Sequence, residues 1–196
     1  MKVLLAHGSS DATHAIKVVK LANDVSLLLG ESVEACFLSD LQLPAGSEVL
    51  PLFLGAGVHL TEDAPRLAAA SGSTLLPGLP DQSGAIASLV GKSDAGRSIY
   101  LLYQPEGFEA LQCSLETQGA MAYLHGDPSL TTMLQQHAKT TTEITVQPLL
   151  LFPGRSLARV RSMIADSNIP DIRLAPVLCE LNGFAELVAD CFRRAQ

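Results

Sequence analysis

The stretch Val49-Leu50-Pro51-Leu52-Phe53-Leu54-Gly55-Ala56-Gly57 is met a second time as Val146-Gln147-Pro148-Leu149-Leu150-Leu151-Phe152-Pro153-Gly154. The prolines, the leucines behind them and the closing glycines coincide at one offset, 97 residues from Pro51 to Pro148. Leu4-Leu5 and Leu101-Leu102 repeat at the same offset. An internal repeat decides the reading of the whole chain, because each copy must be one supersecondary unit with its own core. The chain therefore reads as a duplicated domain with a cleft between the copies.

Working outward from the repeat, short leucine-rich or β-branched runs alternate with segments of helical period, the pattern of parallel sheets covered by helices. In the first half, Val3–Ala6, Val33–Leu38, Val49–Leu54 and Thr74–Leu76 read as strands. Ser10 or Asp11 can cap a helix whose apolar residues run from Ala15 to Leu29, with Gly30 just past its end. Further helices are expected from about Thr61 and from Gln82 to Val90. In the second half, Ile99–Tyr103, Ala120–Leu124, Ile144–Leu151 and Ile172–Ala175 read as strands. Helical stripes fall at 108–115, on Leu130, Met133, Leu134 and His137, on Leu157, Val160 and Ile164, and from Phe184 to Cys191. The first half keeps a long first helix and almost no second one; the second half does the reverse. Gly91–Arg97 lacks apolar periodicity, so the expected lobes are 1–92 and 97–196. The fold class is α/β: two similar lobes, each a mainly parallel sheet flanked by helices.

Composition narrows the function. With 196 residues and 47% hydrophobic side chains, the chain can bury a core without disulfides or a structural metal. Twenty acidic residues against thirteen basic ones leave a charge of −7, and no Lys/Arg run is interleaved with aromatics, so nucleic acid is not an expected partner. The longest apolar stretch, Val49 to Leu60, carries Pro51 and His59 and falls short of the roughly 20 residues of a membrane span. Val3–Ala6 is too short for the apolar region of a signal peptide, which points to the cytoplasm. Cys36, Cys113, Cys179 and Cys191 form no CxxC pair and read as reduced packing residues.

In open parallel sheets, ligands sit beyond the carboxyl ends of the strands. Two histidines stand there, His7 in Leu5-Ala6-His7-Gly8-Ser9 and His59 in Gly55-Ala56-Gly57-Val58-His59. One such histidine could cap a helix or bond a loop. Two at matching strand ends suit a borderline divalent ion such as cobalt, nickel or iron, and either imidazole could accept a proton near neutral pH. In the second half, His7 aligns with Gln104 and His59 with Ser156, so one metal site is expected. His14 and His137 fall inside helices and read as packing or surface residues.

His7-Gly8-Ser9, together with Leu50-Pro51-Leu52-Phe53-Leu54-Gly55-Ala56-Gly57-Val58-His59 and Glu62-Asp63-Ala64-Pro65, resembles the signatures of the CbiX-type sirohydrochlorin chelatases. The likeness is strongest over residues 1–90. It implies a lyase that inserts cobalt or ferrous iron into sirohydrochlorin, towards cobalamin or sirohaem. The counterparts of His7 and His59 would bind the metal and carry catalysis, and the tetrapyrrole would be the partner. Gly8 and Ser9 would touch the substrate. The divalent metal is then a substrate, and no organic cofactor is implied. Two histidines leave coordination positions open for the pyrrole nitrogens. Two departures mark this chain: Ser10 stands where the family commonly has Arg, and Leu38-Ser39 stands where an acidic residue usually closes the second strand, with Asp40 one place later.

Three further residues follow from position. Asp40 is a candidate for the missing acid. His125, after a second-half strand where the first half has Ser39, is a candidate to face the ion across the cleft. Arg155, after Gly154 at a helix start, is placed to bind substrate carboxylates, whereas Arg159 and Arg161 read as a solvated face. A metal- or tetrapyrrole-binding paralogue without turnover and a plain metal carrier stay open beside the enzyme.

Overall fold

The computed structural model describes all residues but 10, 41, 92–97, 141–142 and 196. The first half contains β1 (Lys2–Ala6), α1 (Ala12–Leu29), β2 (Val33–Phe37), β3 (Glu48–Pro51), α2 (Ala64–Ala70), β4 (Thr74–Leu75) and α3 (Ser83–Gly91). The second contains β5 (Ser98–Leu102), α4 (Glu109–Leu115), β6 (Ala120–Tyr123), α5 (Leu130–His137), β7 (Ile144–Pro148), α6 (Arg155–Asp166), β8 (Ile172–Leu174) and α7 (Phe184–Arg193). A π-helical turn, His59–Asp63, leads into α2. Among the described residues the strands form two four-stranded sheets, ordered β2-β1-β3-β4 and β6-β5-β7-β8 and parallel throughout. The order is the same in both once β5 to β8 are taken as copies of β1 to β4.

The compact units are Met1–Gln82 with Asn182–Gln196, and Ser83–Leu181. They differ from the expected division into 1–92 and 97–196, whose connecting stretch 92–97 lies outside the described residues. The difference lies in the closing helices: α3 packs on α4 in the second unit, and α7 packs on α1 and β3 in the first. The apolar face of α7, with Phe184, Val188 and Phe192 fully buried, requires a partner but does not by itself say which sheet supplies it. Polar bonds accompany the packing on the first unit. Arg193 Nη2 donates to the Leu28 carbonyl at 2.8 Å, and Arg194 Nη1 donates to Gln82 Oε1 at 3.3 Å.

In the first unit, Asp11 caps α1 by accepting the Thr13 N–H at 2.9 Å, and the helix ends at left-handed Gly30, φ 69°, whose N–H bonds the Ser26 carbonyl. The alternative cap, Ser10, lies outside the described residues. One face of the sheet, Val3, Leu5, Cys36 and Val49, packs on Ala64 of α2. Burial pushes the Cys36 thiol up to about 11, so it stays protonated and is a poor metal ligand. Cys191 on α7 is likewise raised by burial to about 11, whereas Cys113 is exposed rather than packed.

In the second unit the equivalent face is Ile99, Leu101, Ala122, Leu124 and Val146 against Val160 of α6. Val49 and Val146 keep the offset of 97, but Val3 and Leu5 correspond to Ile99 and Leu101, an offset of 96. The hydrogen bonds agree, since Leu52 N–H donates to the Leu5 carbonyl and Leu149 N–H to the Leu101 carbonyl, each at 2.8 Å. The match of Leu4-Leu5 with Leu101-Leu102 is therefore one residue out, and His7 corresponds to Tyr103 rather than Gln104. A slip of one residue turns every side chain to the other face, which the packing forbids.

Candidate metal centre

β1 is buried along its whole length, and the chain emerges at its carboxyl end with His7 exposed. Behind β3, the segment Leu52 to Val58 carries the chain to the π turn that begins at His59. The two rings meet there, with centroids 4.7 Å apart and planes at 56°. Phe53 closes on His59 from another side, 5.9 Å between centroids. An open hollow of about 420 Å³ lies at this point, lined by His7, Gly8, Ser9, Leu38, Ser39, His59, Asp63 and Arg66. The structure thus brings together His7, His59, Gly8 and Ser9, all four expected from the sequence. Gly8 lies close to Ser39: a Cβ there would stand 3.0 Å from Ser39 Oγ, and the serine side chain would have to give way by a few tenths of an ångström. Ser9 Oγ accepts the Asp11 N–H at 3.1 Å, which ties the loop to the start of α1.

Asp63, within the motif Glu62-Asp63-Ala64-Pro65, supplies the main polar contact of the site. Its Oδ2 lies 2.8 Å from His59 Nδ1, and its Oδ1 accepts from Arg66 Nη2 at 2.7 Å. The hydrogen bonds from His59 and then Arg66 hold the Asp63 carboxyl below its ordinary range. An ionised carboxylate only accepts, so His59 donates from Nδ1, and the neutral ring then presents the Nε2 lone pair to a metal. The four-residue spacing from His59 to Asp63 was the available signal. The turn that joins them is π-helical, closed by the Ala64 N–H on the His59 carbonyl. Such turns add one residue to a helix and occur often at functional sites. The extra residue fits a change of offset between the units, from 97 at Val49 and Val146 to 96 at the core residues Ala64 and Val160.

The other candidates fall elsewhere. Asp40 turns its carboxylate back to accept the Phe37 N–H at 2.7 Å, closing a local turn, so Leu38 and Ser39 line the hollow at this point. His125 belongs to the second unit, with its ring 4.8 Å from Tyr103 and Nε2 3.4 Å from Arg159 Nη1. Arg155 is the exposed first residue of α6, after Gly154. His14 is half-buried on α1, 6.4 Å from Phe37, and burial, followed by the nearby His7, holds its pKa below the ordinary value. Among the described residues no group of three or more His, Cys, Asp or Glu gathers as a closed metal cage, and no helix is long and apolar enough to cross a membrane.

No protein-family model matches the chain, and no curated protein matches it. Solved structures do share its fold. One, described as CbiX, the terminal enzyme for biosynthesis of siroheme in denitrifying bacteria, has 15% identity and a TM-score of 0.72 over the whole of both chains. SirB from Bacillus subtilis with Fe3+ has 14% identity and a TM-score of 0.69, over 99% of this chain and 95% of that one. The sirohydrochlorin chelatase SirB from Bacillus subtilis subspecies spizizenii, in complex with cobalt, has 17% identity and a TM-score of 0.65, over 99% and 93%. The two-unit α/β fold of these proteins is the fold of this chain.

Proposed function

We propose that this protein inserts cobalt or ferrous iron into sirohydrochlorin, with His7 and His59 as the metal ligands. The observation that carries the reading is the contact of the two imidazoles, 4.7 Å between centroids, at the strand ends of a fold shared with the proteins above. Two neutral imidazoles hold a borderline divalent ion while leaving most of its coordination positions to water or to incoming pyrrole nitrogens. Asp63 orients His59 through Nδ1. Insertion releases two pyrrole protons. As the macrocycle nitrogens replace the imidazoles on the ion, each freed imidazole nitrogen becomes able to accept one proton and pass it to water. Gly8 and Ser9 border the same hollow and would meet the macrocycle; Arg155 would hold a substrate carboxylate. The reaction is redox-neutral and calls for no organic cofactor, and the protein is read as a cytoplasmic lyase.

Visible absorbance tests the reading. Anaerobic sirohydrochlorin with cobalt or ferrous iron should give the metallated spectrum at a rate proportional to protein, and no acceleration over the uncatalysed reaction would refute it. A second reading, binding without turnover, is favoured by one observation: the carboxylate of Asp40 is committed to Phe37, so no acid joins the histidines from the end of β2. In that case the spectrum would shift on binding while the insertion rate stayed at background.

A further inference from the structure

The corrected register brings a second group of side chains into view, at the place in the second unit that corresponds to the histidine hollow of the first. Tyr103 stands two residues beyond Leu101 as His7 stands two beyond Leu5. His125 corresponds to Ser39, because Leu38 N–H donates to the Ala6 carbonyl and Leu124 N–H to the Leu102 carbonyl. Arg159 precedes the core residue Val160 as Asp63 precedes Ala64. Tyr103, His125 and Arg159 therefore stand where the first unit has His7, Ser39 and Asp63, which line one hollow, and His125 touches both of the others. The Tyr103 and His125 rings are 4.8 Å apart, and Arg159 Nη1 lies 3.4 Å from His125 Nε2.

The chemistry is inverted. The first unit offers imidazole lone pairs and a carboxylate, which attract a cation. The second offers a phenol, an imidazole and a guanidinium, with no acid among the three. We propose that Tyr103, His125 and Arg159 form a carboxylate-binding site. A cation is disfavoured because the guanidinium stands beside the imidazole nitrogen. The existing contact is a long hydrogen bond to a neutral acceptor, which spends one donor of a five-donor fork. A carboxylate would replace it with shorter charge-assisted bonds, bidentate from Arg159, with the Tyr103 hydroxyl as a further donor. The positive end of the twelve-residue helix α6, whose cap position is glycine, adds to the attraction. Arg159 on this account is not merely part of a solvated face.

The inference deepens the chelatase reading and rests on it only for the bearer of the carboxylate, which is either the acidic periphery of sirohydrochlorin or a free carboxylate. The experiment uses the whole chain. Sirohydrochlorin binding is followed by absorbance for the wild type, Arg159→Gln and Tyr103→Phe, cobalt binding is measured separately, and the octamethyl ester of the tetrapyrrole serves as a probe without charge. Citrate is titrated while the His125 ring resonances are recorded. Arg159→Gln should weaken sirohydrochlorin binding roughly tenfold, the worth of one charge-assisted hydrogen bond, and reduce the preference for acid over ester by a similar factor. Cobalt affinity should not change. If the wild type binds no tetrapyrrole but citrate moves the His125 signals in an Arg159-dependent way, the site stands with a free carboxylate as its ligand and the chelatase reading falls. If Arg159→Gln binds sirohydrochlorin as the wild type does and citrate leaves His125 unmoved, the site is refuted, and the insertion assay judges the chelatase reading on its own.

Discussion

The two units share strand order and the composition of the buried sheet face, yet they part at the rim. Val3, Leu5 and Val49 have direct counterparts in Ile99, Leu101 and Val146. One residue beyond β1 stands His7, where the second unit has Tyr103 beyond β5, and Asp63 at the end of the π turn has Arg159 of α6 as its counterpart. The one-residue gain of the π turn separates them further. The sheet tolerates little change because every inward side chain is packed on both sides. The strand ends carry no such burden, so chemistry can change there without a cost to the fold.

The harshest way to break this asymmetry is to remove the histidines. The double variant His7→Ala, His59→Ala should lose cobalt affinity by at least about a hundredfold and insertion with it, while keeping its circular dichroism. The matching double variant Tyr103→Ala, His125→Ala should leave the cobalt isotherm in place. Equal losses in the two would mean that the units do not divide the labour.

The equivalence of the sheet faces can be sharpened by unfolding measurements. Leu101→Ala should cost about 2–5 kcal/mol. Its effect should couple with that of Val160→Ala by roughly 0.5–3 kcal/mol, whereas Leu102→Ala and Val160→Ala should simply add. Coupling through Leu102 instead would restore the offset of 97 for β5.

Smaller effects are expected from the polar support. Asp63→Asn should lower cobalt affinity by roughly 10–100-fold. It should also move the apo His59 ring away from the Nδ1-protonated tautomer in ¹⁵N spectra, a change that a purely structural role would not cause. Deleting Thr61, which shortens the π turn to α-helical length, should lower cobalt affinity similarly while the unfolding midpoint stays near that of the wild type. A pH series gives the slightest effect. Asp63 is held below its ordinary range by His59 and Arg66, so its contribution is present above the ordinary carboxyl pKa and fades as pH falls towards the depressed value. Asp63→Asn should flatten that acid limb, and an identical limb in both proteins would remove Asp63 from the account.

Much of the architecture was legible because Pro51 and Pro148 end strands in equivalent places, and because helical and strand periods alternate in the same order in both halves. The register of β1 against β5 was not legible. Both strands are buried at every position, so there is no in-and-out alternation to reveal a one-residue slip. The π turn hid for a related reason: Leu60 to Ala64 and Leu157 to Val160 are spacings of four and three, and an ordinary helix accommodates either. His7 and His59 were readable from the strands they follow. Asp40 was not, since a carboxylate at a strand tip can bond its own backbone, as it does here to Phe37. The partners of α3 and α7 were equally silent in the sequence, because an apolar stripe records burial and not address.

The placement of α7 has a consequence for synthesis. The unit that carries His7 and His59 is completed by Phe184, Val188 and Phe192, which leave the ribosome more than a hundred residues after β3. A nascent chain holding all of the first sheet still lacks the helix that seals α1 and β3, so that apolar surface waits uncovered until translation is nearly finished. Cutting the gene between the repeats would yield one fragment without its cover and another carrying a cover that belongs elsewhere.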